Sequence, residues 1–530
     1  MPERRSSSRN GPQGRTTATT PEELTRALRL PDAYPHRPRN VEIEQTQMSL
    51  VFLADEFVYK VKKPVNLGYL DYSSLSARHS FCEKEVELNR RLCASAYLGV
   101  VRITRADDRL LVESEGEAVE YAVKMRRLPA DRMLDQLLLK DAATAKTMQR
   151  IAQRVADFHM SSHTTKEIST FGQRHIIRGN TDENFEQTGP YIGHTITEST
   201  HSLVKDYTNG FLDTRASLFD ARIEEGRILD CHGDLHAAHV CMTDEVCIYD
   251  CIEFNDRFRY GDVSSEVGFL AMDLDRYSRR DLSRAFVDAY VKQTGDDGLR
   301  VLLDFYKCYR AFVRGKVEGF RASDDMTPAD ERKAAVWRGR RYFQLARGYA
   351  TGKGSLIIMS GLSGSGKSRI ASELADRLGC TIVASDAVRK QLAGLSPEEK
   401  RHVPYGKDLY SEKWTVRTYD EMIRRGVTEI EKGQPVILDA SFLQEWERDK
   451  AVEMAQQSGV QLVIAECVAP YDMLLKRLAG RDSISDARPE ILDRQRETQE
   501  PVREHEDVKH IVLDTCKPVD ETVEELWKHL

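Results

Sequence analysis

The segment Gly361-Leu-Ser-Gly-Ser-Gly-Lys-Ser368 limits what this chain can fold into more than any other. It fits G-x-x-x-x-G-K-[ST] at every position, follows the short apolar run Leu356–Met359 and leads into the helix-compatible stretch Arg369–Leu378. In that order, strand, loop and helix let backbone N–H groups curl around phosphate oxygens, and the helix N-terminus adds its dipole. The pattern assigns Gly361, Ser363, Gly364, Ser365, Gly366, Lys367 and Ser368 to nucleotide binding. Lys367 is expected to bridge the β- and γ-phosphates, and Ser368 to ligate Mg²⁺. The competing reading is a Gly/Ser turn without chemistry. The expected ligands are ATP and Mg²⁺.

Apolar runs at Leu356–Met359, Thr381–Ala384, Val436–Leu438, Leu462–Cys467 and Ile511–Leu513 alternate with helix-compatible segments. That alternation predicts a five-stranded, mainly parallel sheet with helices on both faces. Ala350-Thr-Gly-Lys-Gly354 marks a boundary, so residues 355–530 read as one α/β domain and 23–350 as another, behind a disordered tail at 1–22. Order is expected from Pro21-Glu-Glu-Leu24, where Thr20 caps a helix with proline at its first position. Strands follow at Ser49–Ala54, Glu56–Lys62, Val100–Thr104, Arg109–Glu113 and Ala118–Met125, with a helix at Ser76–Leu92 and helical pattern from Leu134 to Met160. Between Ile228 and Phe254, two apolar runs bracket a His-rich loop and read as hairpin strands.

With 530 residues the chain needs more than one core, and 40% apolar with 31% charged residues describes a globular protein. A net charge of −7 gives no global electrostatic case for nucleic acid or a membrane surface. No apolar run approaches the roughly 18 residues of a membrane span. The N-terminus lacks the apolar core of a secretory signal. The 10 cysteines are scattered without a C-x-x-C pair, which points to reduced thiols and a cytoplasmic setting. Cys231, Cys241, Cys247 and Cys251 lie among His232, His236 and His239, but the spacings match no familiar zinc module. Buried cysteines on core strands are the preferred reading.

Ser385-Asp-Ala-Val-Arg-Lys390 places Asp386 at the carboxyl end of the second strand, where open α/β sheets bind ligands. Here the sequence resembles the kinase domain of polynucleotide kinases, zeta toxins and gluconate kinases. The resemblance implies that Asp386 takes the proton of an acceptor hydroxyl and that Arg389 helps hold the substrate. Val436-Ile-Leu-Asp439 and the following Ala-Ser-Phe, with Arg448 beyond, are similar to the segment after that family's Walker B-like strand. Asp439 would then contact Mg²⁺ or orient the acceptor; a helix N-cap is the alternative. Arg477 and Arg481 share one face of a predicted helix, and Arg488 follows. The resemblance implies lid arginines that neutralise the transferring phosphoryl group, against a solvated basic face.

Cys231-His-Gly-Asp-Leu-His-Ala-Ala-His-Val240 has the layout of the H-x-D-x-x-x-x-N loop of kinase-fold phosphotransferases. The stretch resembles aminoglycoside phosphotransferases and choline kinases, which implies a bilobal, protein-kinase-like α+β fold for the N-terminal domain. It puts Asp234 in the general-base position, His232 in a supporting one, and Asp250 where a metal-binding Asp ends the next strand. Lys60 suits the strand lysine that grips phosphates, Glu85 its ion-pair partner, and Met125-Arg-Arg-Leu-Pro129 the hinge that holds adenine. Two positions depart from the pattern. His239 stands where the metal-binding Asn belongs, a poorer ligand for hard Mg²⁺. Gln45–Glu56 contains no glycine for a phosphate-covering loop. Glu253, Asp256, Asp262 and Glu266 are candidates for holding a cationic acceptor, or for structure alone.

The arrangement of the two domains resembles bacterial bifunctional aminoglycoside phosphotransferase/ATP-binding proteins. The expected activity is ATP-dependent phosphotransfer to a hydroxyl of a small-molecule or nucleotide-like acceptor, mainly at the phosphate loop, with a second possible site around Asp234. One alternative is a regulatory protein whose N-terminal domain senses a ligand and gates the C-terminal one. Another is a nucleic-acid end kinase, disfavoured by net charge and by the absence of an aromatic/basic platform. No membrane partner is expected.

Overall fold

The computed structural model describes residues 19–396, 411–479, 489–505 and 508–530. Thr20 caps the first helix, Pro21–Leu28, through the N–H of Glu23, and Leu24 and Leu28 are buried in the core beneath the first sheet. The described chain groups into two units. One runs to Ser162 and takes in Asp230–Tyr260; the other comprises His163–Leu229 and Gly261–Leu530.

The first unit is built on an antiparallel sheet in the order Val41–Gln45, Ser49–Ala54, Phe57–Lys62, Ala118–Arg126, Tyr97–Ala106, Arg109–Val112. The edge strand Val41–Gln45 was not legible as a strand. Glu42, Glu44 and Gln45 mask its two inward apolar residues, and such charges blunt an exposed sheet edge. In Phe57–Lys62 the strand period turns Tyr59 and Val61 into the core and leaves Lys60 and Lys62 together on the other face. Helix Leu75–Cys93, capped by Ser74, buries Glu85. The helical pattern after Leu134 resolves into Leu134–Leu139 and Ala145–Ser161, parted by Asp141 at φ 51° and restarted by a capping box at Thr144.

The expected hairpin across the His-rich loop is corrected. The antiparallel pair is Val240–Met242 with Val246–Ile248, both after the loop, and Ile228–Asp230 is no part of it. The Thr243–Glu245 turn is short enough to pair its own flanks, so the longer loop is not closed by strand pairing. Free thiols were also expected throughout, yet Cys93 and Cys247 form a disulfide with Cα atoms 4.7 Å apart, while the other cysteines keep their thiols.

In the second unit, helices Arg174–Thr188, Glu198–Thr214, Val263–Arg276, Leu299–Ser323 and Ala329–Thr351 share one core around Phe185, Phe269, Phe312 and Phe343. The last of these helices runs to the boundary stretch. There a Cβ on Gly354 would lie 1.7 Å from the Gln434 carbonyl oxygen, so only glycine lets the chain enter the sheet. All five expected strands are present and parallel, in the order Thr381–Ala384, Val436–Asp439, Leu356–Ser360, Leu462–Val468, Val508–Asp514. Apolar clusters cover both faces, and every residue of Leu356–Ser360 is buried. No described helix is long and apolar enough to cross a membrane.

One buried charge cluster locks the helical part of this unit. Arg222 binds Asp262 at 2.9 Å and Asp296 at 2.5 Å, all three side chains at or below 3% exposure. Arg222→Leu leaves two buried carboxylates without their cation and should cost about 3–5 kcal/mol in chemical denaturation. A loss below about 1 kcal/mol would mean that the cluster contributes little.

Candidate active site

The central strand Leu356–Ser360 delivers the chain to the phosphate loop between its two parallel neighbours. Gly361, Gly364 and Gly366 take φ of 131°, 80° and 92°, values that side chains rarely adopt. A Cβ on Gly361 would meet the Cys467 carbonyl oxygen at 2.4 Å. The loop carbonyls are engaged from outside. Lys367 Nζ donates to Gly361 O at 2.7 Å and Leu362 O at 2.8 Å, and Thr515 Oγ1 donates to Ser365 O at 2.7 Å. The Ser365 hydroxyl is buried without a hydrogen-bond partner, and helix Lys367–Leu378 opens at the end of the loop with Ser368 exposed in its first turn. Three glycines at positive φ, a buried orphan hydroxyl, a lysine and a helix N-terminus fit a triphosphate with Mg²⁺.

Around this loop, Asp386 lies in the first turn of Ser385–Leu392, and Arg389 Nη1 donates to its Oδ1 at 3.2 Å. Asp439 ends its strand in register with Met359 on one side and Ala384 on the other, and is buried. It sits on a strand end, not at a helix N-cap. Behind it, the Tyr419 hydroxyl accepts from Phe442 N–H at 3.2 Å, holding Phe442 at φ 45°. Arg477 donates to Thr515 O at 2.7 Å and Thr515 Oγ1 at 3.0 Å, and reaches Gly364 O at 3.4 Å. Arg448 is consumed by the carbonyls of Phe442, Leu443 and Pro501 and is structural. Arg481 and Arg488 lie outside the described residues. Sequence reasoning missed Thr515 and Gln495, whose Oε1 accepts the Ser363 N–H at 2.9 Å. Both come from distant segments, and no local pattern marks them.

In the first unit, Lys60 Nζ lies 2.6 Å from Asp250 Oδ1 and 2.9 Å from Glu85 Oε1. Lys62, which the sequence reading passed over, binds Glu85 Oε2 at 2.6 Å and also Glu253, which accepts from the Tyr72 hydroxyl. Its position two residues from Lys60, on the same strand face, was the available signal. Burial alone would discharge both lysines, but Asp250 and Glu85 for Lys60, and Glu253 and Glu85 for Lys62, hold them well above the ordinary value. Burial likewise opposes ionisation of Asp250 and Glu253, yet Lys60 and Lys62 respectively hold the two carboxyls below the usual range. Glu253 is therefore a network member. Asp256 pairs with Lys84 and Arg259, Asp262 with Arg222, and Glu266 is buried in helix Val263–Arg276.

Asp250 sits at φ 63°, with its N–H on the Tyr97 hydroxyl at 3.2 Å. His232 Nδ1 accepts from Asp234 N–H at 3.3 Å while Nε2 donates to Tyr249 O at 3.0 Å. His239 Nδ1 donates to Asp234 O at 3.0 Å, and burial with His236 beside it pushes its pKa down to about 4. Met125 lies within Ala118–Arg126, opposite Val58, and the next amides are occupied: Arg126 N–H by Ala96 O and Arg127 N–H by Glu56 O. In place of a glycine-rich loop, Thr46–Met48 makes a tight turn, with Thr46 N–H on Ser49 O and Lys63 N–H on Met48 O.

Residues 356–503 match the family model described as AAA domain, AAA_33, and with the five-stranded parallel order they define a P-loop kinase-type domain. Over its length, the chain is 30% identical across 455 residues to the uncharacterized protein Rv2004c of Mycobacterium tuberculosis, covering 85% of this chain and 88% of the relative. The uncharacterized protein Mb2027c of Mycobacterium bovis matches to the same extent. The chain belongs to the family of these mycobacterial proteins. Among solved structures it is similar to a gluconokinase from Sinorhizobium meliloti, with 25% identity over 32% of this chain and 88% of that one, at a TM-score of 0.23. A sugar kinase from Janibacter shows 23% identity, 32% and 91% coverage and a TM-score of 0.25.

The lysine–carboxylate network makes a pH prediction. Glu253 has a lowered folded-state pKa, so its stabilisation is complete above the unfolded value of about 4.3 and is lost as pH falls from there toward the folded value. Glu253→Gln should flatten the acid limb of the stability curve below about pH 4 and cost about 3–5 kcal/mol at neutral pH. Denaturant titrations across pH read both. An unchanged acid limb contradicts the network.

Proposed function

We propose that the chain is an ATP-dependent phosphotransferase that moves the γ-phosphoryl group of ATP onto a hydroxyl of a small-molecule or nucleotide-like acceptor, with the phosphate loop as its main catalytic site. One observation carries this reading: a complete phosphate loop, with Asp386, Arg389 and Asp439 on the carboxyl edge of the same sheet. ATP with Mg²⁺ supplies the phosphoryl group and neutralises charge on it. The amides of the loop bind phosphate oxygens, and Lys367 exchanges the carbonyls of Gly361 and Leu362 for them. Ser368 and Asp439 are the residues that would hold the ion. Asp386 takes the proton from the acceptor hydroxyl as the new O–P bond forms and ADP departs. Arg389, at 3.2 Å, orients that carboxylate. Arg477 steadies the loop through Gly364 O, and the resemblance gives Arg481, outside the described residues, a part in neutralising the transferring phosphoryl group.

A second reading, regulation by the first unit, is favoured by two departures from a phosphotransferase site: the turn Thr46–Met48 has no glycine, and His239 stands where an amide ligand belongs. In that reading the kinase-like grip around Lys60, Glu85, Asp234 and Asp250 is retained for ligand sensing, with phosphotransfer confined to the phosphate loop.

Lys367→Ala should abolish transfer and weaken ATP binding, while Asp234→Ala leaves most activity in place. The reverse result places the chemistry in the first unit. Asp386→Asn should cut transfer by about 10²–10⁴-fold, with nucleotide affinity within a few-fold of the parent. If Asp386 only caps its helix, the variant loses about 1 kcal/mol of stability and keeps near-normal turnover. Turnover, affinity and melting temperature on one preparation separate the two.

A further inference from the structure

Gln495, buried on helix Pro489–Thr498, reaches the phosphate loop from outside and accepts from the Ser363 N–H at 2.9 Å. A backbone N–H only donates, so the glutamine must present its oxygen to it. The peptide that carries this N–H also carries the Leu362 carbonyl, on which Lys367 Nζ sits at 2.8 Å. A trans peptide is planar, with its C=O and N–H pointing in opposite directions. One rigid plane is therefore held from both sides, by Lys367 and by Gln495.

The helix that carries Gln495 is itself fixed at both ends. Leu492 is buried with Leu474 and Leu478 of helix Tyr471–Ala479, and Leu362 of the loop packs against the same cluster. The Tyr471 hydroxyl donates to Asp493 Oδ1 at 2.6 Å. Beyond the helix, Glu500 N–H donates to Leu443 O at 2.9 Å, and the carbonyls of Glu500 and Pro501 accept from Arg448 Nη2. Arg448 Nη1 holds Phe442 O and Leu443 O, in the segment that follows Asp439. A single stretch of chain thus bonds to the peptide under Lys367 and to the turn after Asp439.

We propose that Gln495 is a positioning residue for phosphotransfer, which fixes the Leu362–Ser363 peptide so that the Lys367 ammonium stands where the β- and γ-phosphates arrive. It touches no reacting atom and acts through Lys367. When Lys367 exchanges the Leu362 carbonyl for phosphate oxygens, Gln495 remains as the anchor of that plane. Without its acceptor oxygen the plane is ordered only as nucleotide binds, and binding bears that cost. The loss falls mainly on a triphosphate, because Lys367 bridges β- and γ-phosphates and a diphosphate engages half of that contact. This inference rests on the phosphate-loop reading above and deepens it.

The test titrates the full chain, with Mg²⁺, against two probes: a non-hydrolysable ATP analogue and ADP. Gln495→Met keeps the size of the side chain and removes the acceptor; Gln495→Ala is the second variant if methionine fails to fold, and melting profiles without nucleotide check both. Read at the site that Lys367→Ala weakens, the analogue should bind about tenfold less tightly, as expected for one lost hydrogen bond, with ADP within about threefold. In a Lys367→Ala background the same substitution should change analogue affinity by less than about twofold, since the glutamine acts through the lysine. Equal weakening of both nucleotides, unchanged analogue affinity, or an undiminished effect in the Lys367→Ala background overturns the proposal. Analogue binding indifferent to Lys367→Ala overturns the phosphate-loop reading itself, and this proposal with it.

Discussion

A loop that closes on phosphate must turn its amide hydrogens toward one point and find other partners for its carbonyl oxygens. Here those partners are supplied from three directions. Lys367 takes Gly361 O and Leu362 O, Thr515 takes Ser365 O, and Arg477 reaches Gly364 O. Gly361 has room only for hydrogen beside the Cys467 carbonyl, so the loop is pinned against the neighbouring strand as well. The sheet exists to hold this geometry. Its central strand is buried along its whole length, and the strands on one side end at Asp439 and lead into Asp386, which brings both acids to the same edge.

The first unit obeys a different constraint, that buried charge must be matched by charge. Lys60 and Lys62 stand on one strand face against Glu85, Asp250 and Glu253. Removing any one of them strands its partners in a low-dielectric interior, which makes the set resistant to piecemeal change. The same geometry leaves Asp250 with one oxygen on Lys60 and the other toward His239, so the loop that carries Asp234 is tied to the lysine strand through a single carboxylate.

Where local chemistry decided the outcome, the sequence was readable. Apolar runs between glycine-marked breaks gave the parallel strands, and Thr20 with Pro21 gave the first helix, because each signal acts within a few residues. Long-range pairing was not readable. The His-rich loop looked like the inside of a hairpin, but the strands that pair both follow it. Arg448 follows the Asp439 segment in sequence, but its guanidinium donates to four backbone carbonyls. Gln495 and Thr515 entered the site through tertiary contacts that no spacing announces. Strand ends follow from local signals, whereas the partner of a buried charge and the close approaches that demand Gly354 and Gly361 depend on the whole fold.

The central claim is that nucleotide is held by the phosphate loop of the second unit. Hydrogen–deuterium exchange of the full chain, with and without a non-hydrolysable ATP analogue and Mg²⁺, tests it directly. The account predicts that the strongest new protection falls on the amides of residues 361–368 and the first turn of the helix that follows. Protection confined to the Lys60 strand and the Asp234–Asp250 loop, with residues 361–368 unchanged, would contradict it.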